Sequence, residues 1–408
     1  MNPLGAGTRP EISLLLSCSR ATIDSKHAHR IKELSQNNID WNNLLSLAGR
    51  HGLTPILFHR LNSICPEAVP GPIRSRLENH FNANLGYNRF LTGEMLRLLN
   101  LFENHGILAV PFKGPVLASS VYGDLSLREF SDLDMMIPKQ HVLKAKELLL
   151  SQRYLPILKL SPVQERAYIQ SEYEYNFTHE RTGIRLEIHW KCFPWELPFS
   201  LTLKELGRRL KRVRIIDKEV LTFAPEELLL ILCIHGYKHC WEALGLICDV
   251  AGLIQTHQEM DWDLLTVEAR RFGSERILSL GLYLAQELLD ANLPDKVCQR
   301  IKSDAKMDIL AHKVYTQLLK EKDGSVGALE TYLFHLRSIK TFWDRVLYCY
   351  FLMVPPYFAD FLFLKLPSGL FFLYYLIRPL RLLGKYSVGR LINWLMPPEV
   401  TGTKENRV

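Results

Sequence analysis

The sequence predicts an α+β fold, a small mixed β-sheet set between mostly helical segments. Three observations predict it. Apolar residues recur at three- and four-residue spacing through the first hundred positions, short β-rich runs replace that pattern from Ile107 to Trp190, and helical spacing returns after Pro225. At 408 residues the chain has room for two or three domains, since single cores stop growing at about 250–300 residues.

The first segment, 1–105, reads as helical. IDWNNLLSLAGRHGLTPILFHRL has Asp40 placed as an N-cap, and NRFLTGEMLRLLNLFENHG has Gly106 placed as a stop. The second segment, 106–224, changes character. ILAVPFKG and FSDLDMMIP are short strands, the latter bounded by Ser131 and Pro138, and QHVLKAKELLLSQR is a helix. EYEYNFTHERTGIRLEIHW holds two extended runs around an Arg181-Thr182-Gly183 turn. Strand, helix, strand, helix, hairpin implies a small mixed sheet with helices packed on it.

The third segment, 225–340, begins with EELLLILCIHGYKHCWEALGLICDVAGLIQ and is again helical. Asp261-Trp262, followed by Leu265, Ala269, Arg271 and Gly273, repeats the offsets of Asp40-Trp41 with Leu44, Ala48, Arg50 and Gly52. Two copies are too few for a solenoid, so both read as capped helices with a shared packing face. The fourth segment, 341–408, is an apolar, basic tail.

Composition excludes disorder: 47% of residues are apolar and 23% charged, with no long low-complexity tract. The formal charge of +7 suits anionic partners such as nucleoside triphosphates, nucleic acid or anionic lipid without selecting one. Eight scattered cysteines without a CxxC pair read as reduced thiols. The only apolar run near the start has five residues, too short for a signal peptide, so a cytoplasmic location is expected.

The chemistry concentrates in Ser131-Asp132-Leu133-Asp134-Met135-Met136-Ile137. On a strand Asp132 and Asp134 project to one face. Two close carboxylates repel unless a cation lies between them, and magnesium prefers oxygen ligands while leaving room for water and phosphates. An Asp-x-Asp triplet alone is most often solvated surface; here it is joined by Glu187, apolar-flanked in Arg185-Leu186-Glu187-Ile188-His189-Trp190. If the two strands are neighbours, three carboxylates can hold two metals, which is the minimum equipment for nucleotidyl transfer. Upstream, Lys113-Gly114-Pro115 joins a strand to a helix start, where free N–H groups bind anions, and Lys113 and Arg128 would add positive charge near the phosphates.

The runs FKGPVLASSVYGDLSLREFSDLDMMIP, LEIHW, HGYKHCWEALGLICDVAGLI and DWDLLTVEARRFG resemble the uncharacterised nucleotidyltransferase family of bacteria. That family lies within the DNA polymerase beta-like superfamily and is often seen in polysaccharide and peptide natural-product gene clusters. The resemblance spans about Trp41 to Gly281. It implies a nucleotidyltransferase core with N-terminal and C-terminal helical segments, with the paired acids at Asp132 and Asp134, the third acid at Glu187 and the glycine turn at Gly114. Two features depart from the pattern: the turn is Lys-Gly, without the usual neighbouring serine or glycine, and the gap from Gly114 to Asp132 is long. Lys113 is expected to substitute for the missing hydroxyl contact.

The resemblance also implies substrate-side roles for Lys238, as phosphate charge, and His239, as general base toward an acceptor hydroxyl. His235 and His239 stand one helical turn apart, a spacing that zinc can use, but no nearby acid offers a third ligand. Asp249 would orient a histidine or cap a neighbour.

The tail from Val346 to Leu395 includes VLYCYFLMVPPYFADFLFLKL and LFFLYYLIRPLRLL. A spanning helix needs about 20 mostly apolar residues, and Pro355, Pro356, Asp360, Arg378 and Pro379 interrupt these runs. Two readings stand: an interfacial helix drawn to anionic lipid through Lys365, Arg378, Arg381, Lys385 and Arg390, or a tail buried against its own domain or a partner.

The expectation is a magnesium-dependent nucleotidyltransferase, using two ions, that moves a nucleoside monophosphate from a triphosphate to an acceptor hydroxyl or phosphate. The acceptor would be lipid-linked or peptide, the setting polysaccharide or peptide natural-product biosynthesis, and the location the cytoplasm or the inner face of the membrane; nucleic acid is not expected as a partner. The alternative is a catalytically inactive nucleotide-binding or membrane-surface scaffold protein.

Overall fold

Four short helices come first among the described residues: α1 (Pro10–Cys18), α2 (Ser25–Ser35), α3 (Trp41–Arg50) and α4 (Thr54–Ile64). Asp24 and Asp40 cap α2 and α3 by accepting from the N–H groups of His27 and Asn43, donors that a helix start otherwise leaves orphaned. The computed structural model describes residues 9–192, 201–320, 327–364, 366–382 and 384. Helix α5 (Gly71–Asn104) has 34 residues and so is about 50 Å long. Its first half buries Ile73 and Leu77 in the helical core, and its second half buries Leu91, Met95, Leu98 and Phe102 against the sheet. It ends two residues before Gly106, whose φ of +68° suits glycine.

The sheet segment runs β1 (Val110–Pro111), α6 (Pro115–Ser120), β2 (Asp132–Met136), α7 (Val142–Ser151), β3 (Tyr154–Pro156), α8 (Pro162–Ser171), β4 (Glu174–His179) and β5 (Arg185–His189). Strand order is β1-β2-β5-β4-β3. Among the described residues, β2 and β5 pair in parallel and the other pairs of this sheet are antiparallel. The fold is thus the mixed sheet that the sequence predicts, with β3, α8 and a later hairpin in addition. A one-turn helix, α9 (Leu203–Leu206), precedes that hairpin of β6 (Leu210–Ile215) and β7 (Lys218–Phe223).

Seven helices follow: α10 (Pro225–Lys238), α11 (Leu244–Thr256), α12 (Trp262–Arg271), α13 (Glu275–Leu289), α14 (Asp295–Lys302), α15 (Met307–Leu318) and α16 (Ala328–Ser338). The related sequences at Asp40 and Asp261 become matching caps: Asp261 accepts from the N–H of Leu264 as Asp40 does from Asn43, and Leu44, Ala48, Leu265 and Ala269 are all buried. They enter one core, which joins α1–α4 to α10–α15. Helix α10 ends because Cys240 and Trp241 take φ of +51° and +55°. That turn folds the Trp241 ring onto Gly236 and Gly281, where no Cβ would fit.

The C-terminal elements are α17 (Phe342–Met353) and α18 (Phe358–Phe363), then a 3-10 turn at Ser368–Leu373 and helical residues 374–382. Among the described residues no helix is long and apolar enough to cross a membrane. Phe361 and Tyr374 insert into the sheet-side core. Asp360 is fully buried and accepts from Arg378 at 3.0 Å and Arg381 at 2.6 Å. This corrects one expectation: Arg378 and Arg381 serve an internal carboxylate rather than a lipid surface. Lys365, Lys385 and Arg390 lie outside the described residues.

Candidate active site

Register brings the acids together. Across the parallel pair, Asp132 lies opposite Arg185, Asp134 opposite Glu187 and Met136 opposite His189. With a side-chain period of two, Asp132, Asp134, Glu187 and His189 share one face, while Leu133, Met135, Leu186 and Ile188 fill the core behind it. On β4, Glu174 lies opposite His189.

Asp134 and His189 are buried, Asp132, Glu187, Glu174 and Lys113 are half-buried, and the charges compensate one another. Lys113 Nζ lies 2.6 Å from Asp134 Oδ1. His189 Nε2 is 3.2 Å from the same oxygen and 3.3 Å from Glu187 Oε2, and its Nδ1 is 3.4 Å from Glu174 Oε2. Burial alone would depress the imidazole, but hydrogen bonds to Asp134 and Glu187, with the charge of Glu174, push it up to about 9. Burial would likewise raise Asp134, yet Lys113 and His189 hold it well below the usual carboxylate range. Glu187 is lowered against its burial mainly by the His189 hydrogen bond. Asp132 is raised, first by burial and then by repulsion from Asp134.

Gly114 takes φ +48° at the start of α6, and a Cβ there would lie 3.4 Å from the Asp132 carbonyl oxygen. The glycine therefore lets the Lys113 turn pack against β2, which is how Lys113 reaches Asp134. Lys238, at the end of α10, lies over the Tyr173 ring at 4.8 Å and 3.9 Å from Glu174 Oε2. His239 follows it. Burial, then Lys238 and Lys113, depress its imidazole to about 4, so it is neutral at physiological pH. Its ring meets His235 edge to face at 4.7 Å.

Arg128 is placed differently from the sequence expectation. Its Nε and one terminal nitrogen donate to Asp249 at 2.9 and 2.8 Å, and Tyr122 donates to the same carboxylate at 2.8 Å. The guanidinium fork is matched to a carboxylate on α11, so Arg128 ties the segment before β2 to the helical core instead of presenting its fork to phosphate. Asn88, fully buried on α5, holds the same segment by donating to the carbonyls of Leu125 and Arg128.

Among the described residues, Asp134, Glu187 and His189 form the group whose ligand atoms could share a cation, all within 4.8 Å of one another. Two carboxylates and an imidazole are a fitting donor set for a divalent metal. Asp132 stands outside that group, although its charge acts on Lys113. The His235–His239 pair is not part of it. Sequence reasoning overlooked His189 and Glu174; the period-two spacing from Glu187 to His189 was the available signal.

Residues 37–290 match a family described as uncharacterised nucleotidyltransferase. The chain belongs to this nucleotidyltransferase family. A crystal structure of an antigenic nucleotidyltransferase-like protein from Paracoccidioides brasiliensis is 12% identical over 50% of this chain and 93% of that one, with a TM-score of 0.28. No curated protein matches the chain. The acidic face of β2 and β5 lies inside the matched region, so this nucleotidyltransferase has its candidate metal ligands within the part of the chain that defines the family.

Proposed function

We propose that this nucleotidyltransferase moves a nucleoside monophosphate from a triphosphate to an acceptor hydroxyl or phosphate with the help of magnesium. The observation that carries the reading is the parallel register that sets Asp134 against Glu187 with Asp132 on the same face. A bound divalent cation would neutralise the triphosphate and favour the ionised acceptor oxygen. Asp132, Asp134 and Glu187 would hold it, and two ions would require all three. Lys113, on the turn made by Gly114, and Lys238 supply positive charge to the phosphates. His239, neutral at physiological pH, can accept the proton of the acceptor hydroxyl. The acceptor oxygen bonds to the α-phosphorus, the α–β bridging P–O bond breaks, and pyrophosphate leaves.

A membrane-surface setting is a second element of the proposal, favoured by one observation. Phe342, Trp343, Phe363, Phe372, Leu376 and Leu380 are each more than three-fifths exposed on the C-terminal elements. Single exposed apolar residues are ordinary, and six of them on successive elements of the tail support reading it as an interaction surface. An acceptor carried on lipid, in polysaccharide or peptide natural-product biosynthesis at the inner face of the membrane, suits that placement. Incubation with each α-labelled triphosphate and magnesium tests the transfer: label should move to an acceptor or to the protein itself, with pyrophosphate released. Nucleotide binding without product from any triphosphate would favour the inactive scaffold.

A further inference from the structure

We propose that His189 is itself a metal ligand, so that the cation sits between two carboxylates and an imidazole, and that the site binds manganese(II) in preference to magnesium. The proposal rests on the reading of this face as a divalent-cation site, and adds to it the ligand and the selectivity.

Spacing is the first argument. Donor atoms about 2.1 Å from a common cation, with angles between octahedral and tetrahedral, stand about 3.0–3.4 Å apart. His189 Nε2 is 3.2 Å from Asp134 Oδ1 and 3.3 Å from Glu187 Oε2. With all three atoms within 4.8 Å of one another, they stand close enough for one ion to draw them together as ligands.

Orientation is the second. His189 has only 5% of its side chain exposed, and its Nδ1 faces Glu174 Oε2 at 3.4 Å without a well-aligned hydrogen bond. A carboxylate behind the far nitrogen of a ligating imidazole fixes the tautomer and turns the near nitrogen's lone pair to the metal. Glu174 can take that position because β4 sets it opposite His189. Lys113 and His189 both meet Asp134 Oδ1 in the metal-free protein, so a cation on that oxygen would share its lone pairs with the ammonium or shift Lys113 to Oδ2.

Selectivity follows from donor chemistry. Magnesium favours an all-oxygen octahedron and dehydrates reluctantly, whereas first-row transition ions gain more from an imidazole nitrogen beside carboxylates, manganese(II) the least among them. Replacing one oxygen donor by Nε2 moves the preference toward manganese.

The test uses the full chain, freed of metal with chelator, with manganese(II) followed by electron paramagnetic resonance and magnesium added as competitor. Manganese should bind at least tenfold more tightly than magnesium, and pulsed spectra should show modulation from a directly coordinated nitrogen. His189→Gln should abolish the nitrogen signal and reduce the preference for manganese over magnesium, and Glu174→Gln should weaken manganese binding roughly 10–100-fold. If wild type binds manganese without a nitrogen signal and Asp134→Asn abolishes binding, the site is a metal site but His189 is no ligand, and the inference is overturned. If Asp134→Asn leaves manganese binding unchanged, the cation reading of the whole face fails with it. The nitrogen signal is read on wild type, so misfolding of a variant cannot obscure it.

Discussion

Asp134 faces Glu187 across the parallel pair β2–β5, and one buried imidazole, His189, approaches both within 3.3 Å. Carboxylates so placed need a cation, and in the protein alone Lys113 and protonated His189 fill that need. Asp134→Ala is therefore expected to remove nucleotidyl transfer by three orders of magnitude or more, in keeping with the loss of a group that positions charge in the transition state. Single-turnover assays with labelled triphosphate, run beside a circular dichroism check of folding, measure it. Transfer at the wild-type rate would remove Asp134 from the catalytic machinery.

The same pairing predicts a pH dependence of stability in metal-free protein. The His189 imidazole titrates near 9 when folded, against an ordinary 6.5, so the protonated form favours the fold. Its contribution is complete below the unfolded value and is lost as pH rises through the folded one. That difference is worth about 3 kcal/mol. Urea unfolding midpoints should fall between about pH 6.5 and 9 in wild type. His189→Gln should flatten that slope, and an unchanged slope in the variant would assign it to other groups.

Lys113 gives a complementary test. With its side chain 11% exposed and its ammonium 2.6 Å from the nearly inaccessible Asp134 carboxylate, Lys113→Met leaves a buried charge short of a partner. Removing one partner of such a pair costs about 3–5 kcal/mol. Equilibrium unfolding of metal-free protein should show a loss of that size, partly restored in the double variant Lys113→Met with Asp134→Asn. No restoration would mean that Lys113 stabilises the fold by contacts other than this pair.

How much of this was legible beforehand depends on distance along the chain. The acid strand, Glu187 and the mixed sheet could be read because period-two spacing is local. His189 obeys the same spacing from Glu187, but a histidine between isoleucine and tryptophan reads as core, and only the register with β4 shows Glu174 behind it. Arg128 looked like a phosphate ligand because its partner, Asp249, is 121 residues away. Asp360 looked like an interruption of an apolar run. It is instead the internal counter-ion of Arg378 and Arg381, a role set by folding of the tail on itself.

That long-range Arg128–Asp249 contact yields its own expectation. The side chains are 15% and 4% exposed, and the carboxylate also accepts from Tyr122. Asp249→Ala strands a buried guanidinium and should cost about 3–5 kcal/mol, whereas Tyr122→Phe removes one hydrogen bond and should cost about 0.5–1.5 kcal/mol. Because Arg128 anchors the segment leading into β2, milder variants should loosen the acid strand. Hydrogen exchange at residues 121–131 would rise in Tyr122→Phe if this is so, and equal protection in variant and wild type would limit Asp249 to global stability.

The outward apolar face of the tail supplies the last prediction. Leu376 and Leu380, 65% and 69% exposed, lie one helical turn apart on one face, with Phe372 at 62% exposure in the preceding turn. Burying each against acyl chains would contribute about 1.5–3 kcal/mol, so losing two should reduce partitioning tenfold or more. Wild-type protein should float with vesicles containing anionic lipid, and Leu376→Asp with Leu380→Asp should stay in the dense fraction. Asp360→Asn separates this effect from tail folding, since it disturbs the internal pair with Arg378 and Arg381 but leaves the outward residues in place. If the double aspartate variant floats as wild type does, Leu376 and Leu380 are not the membrane anchor.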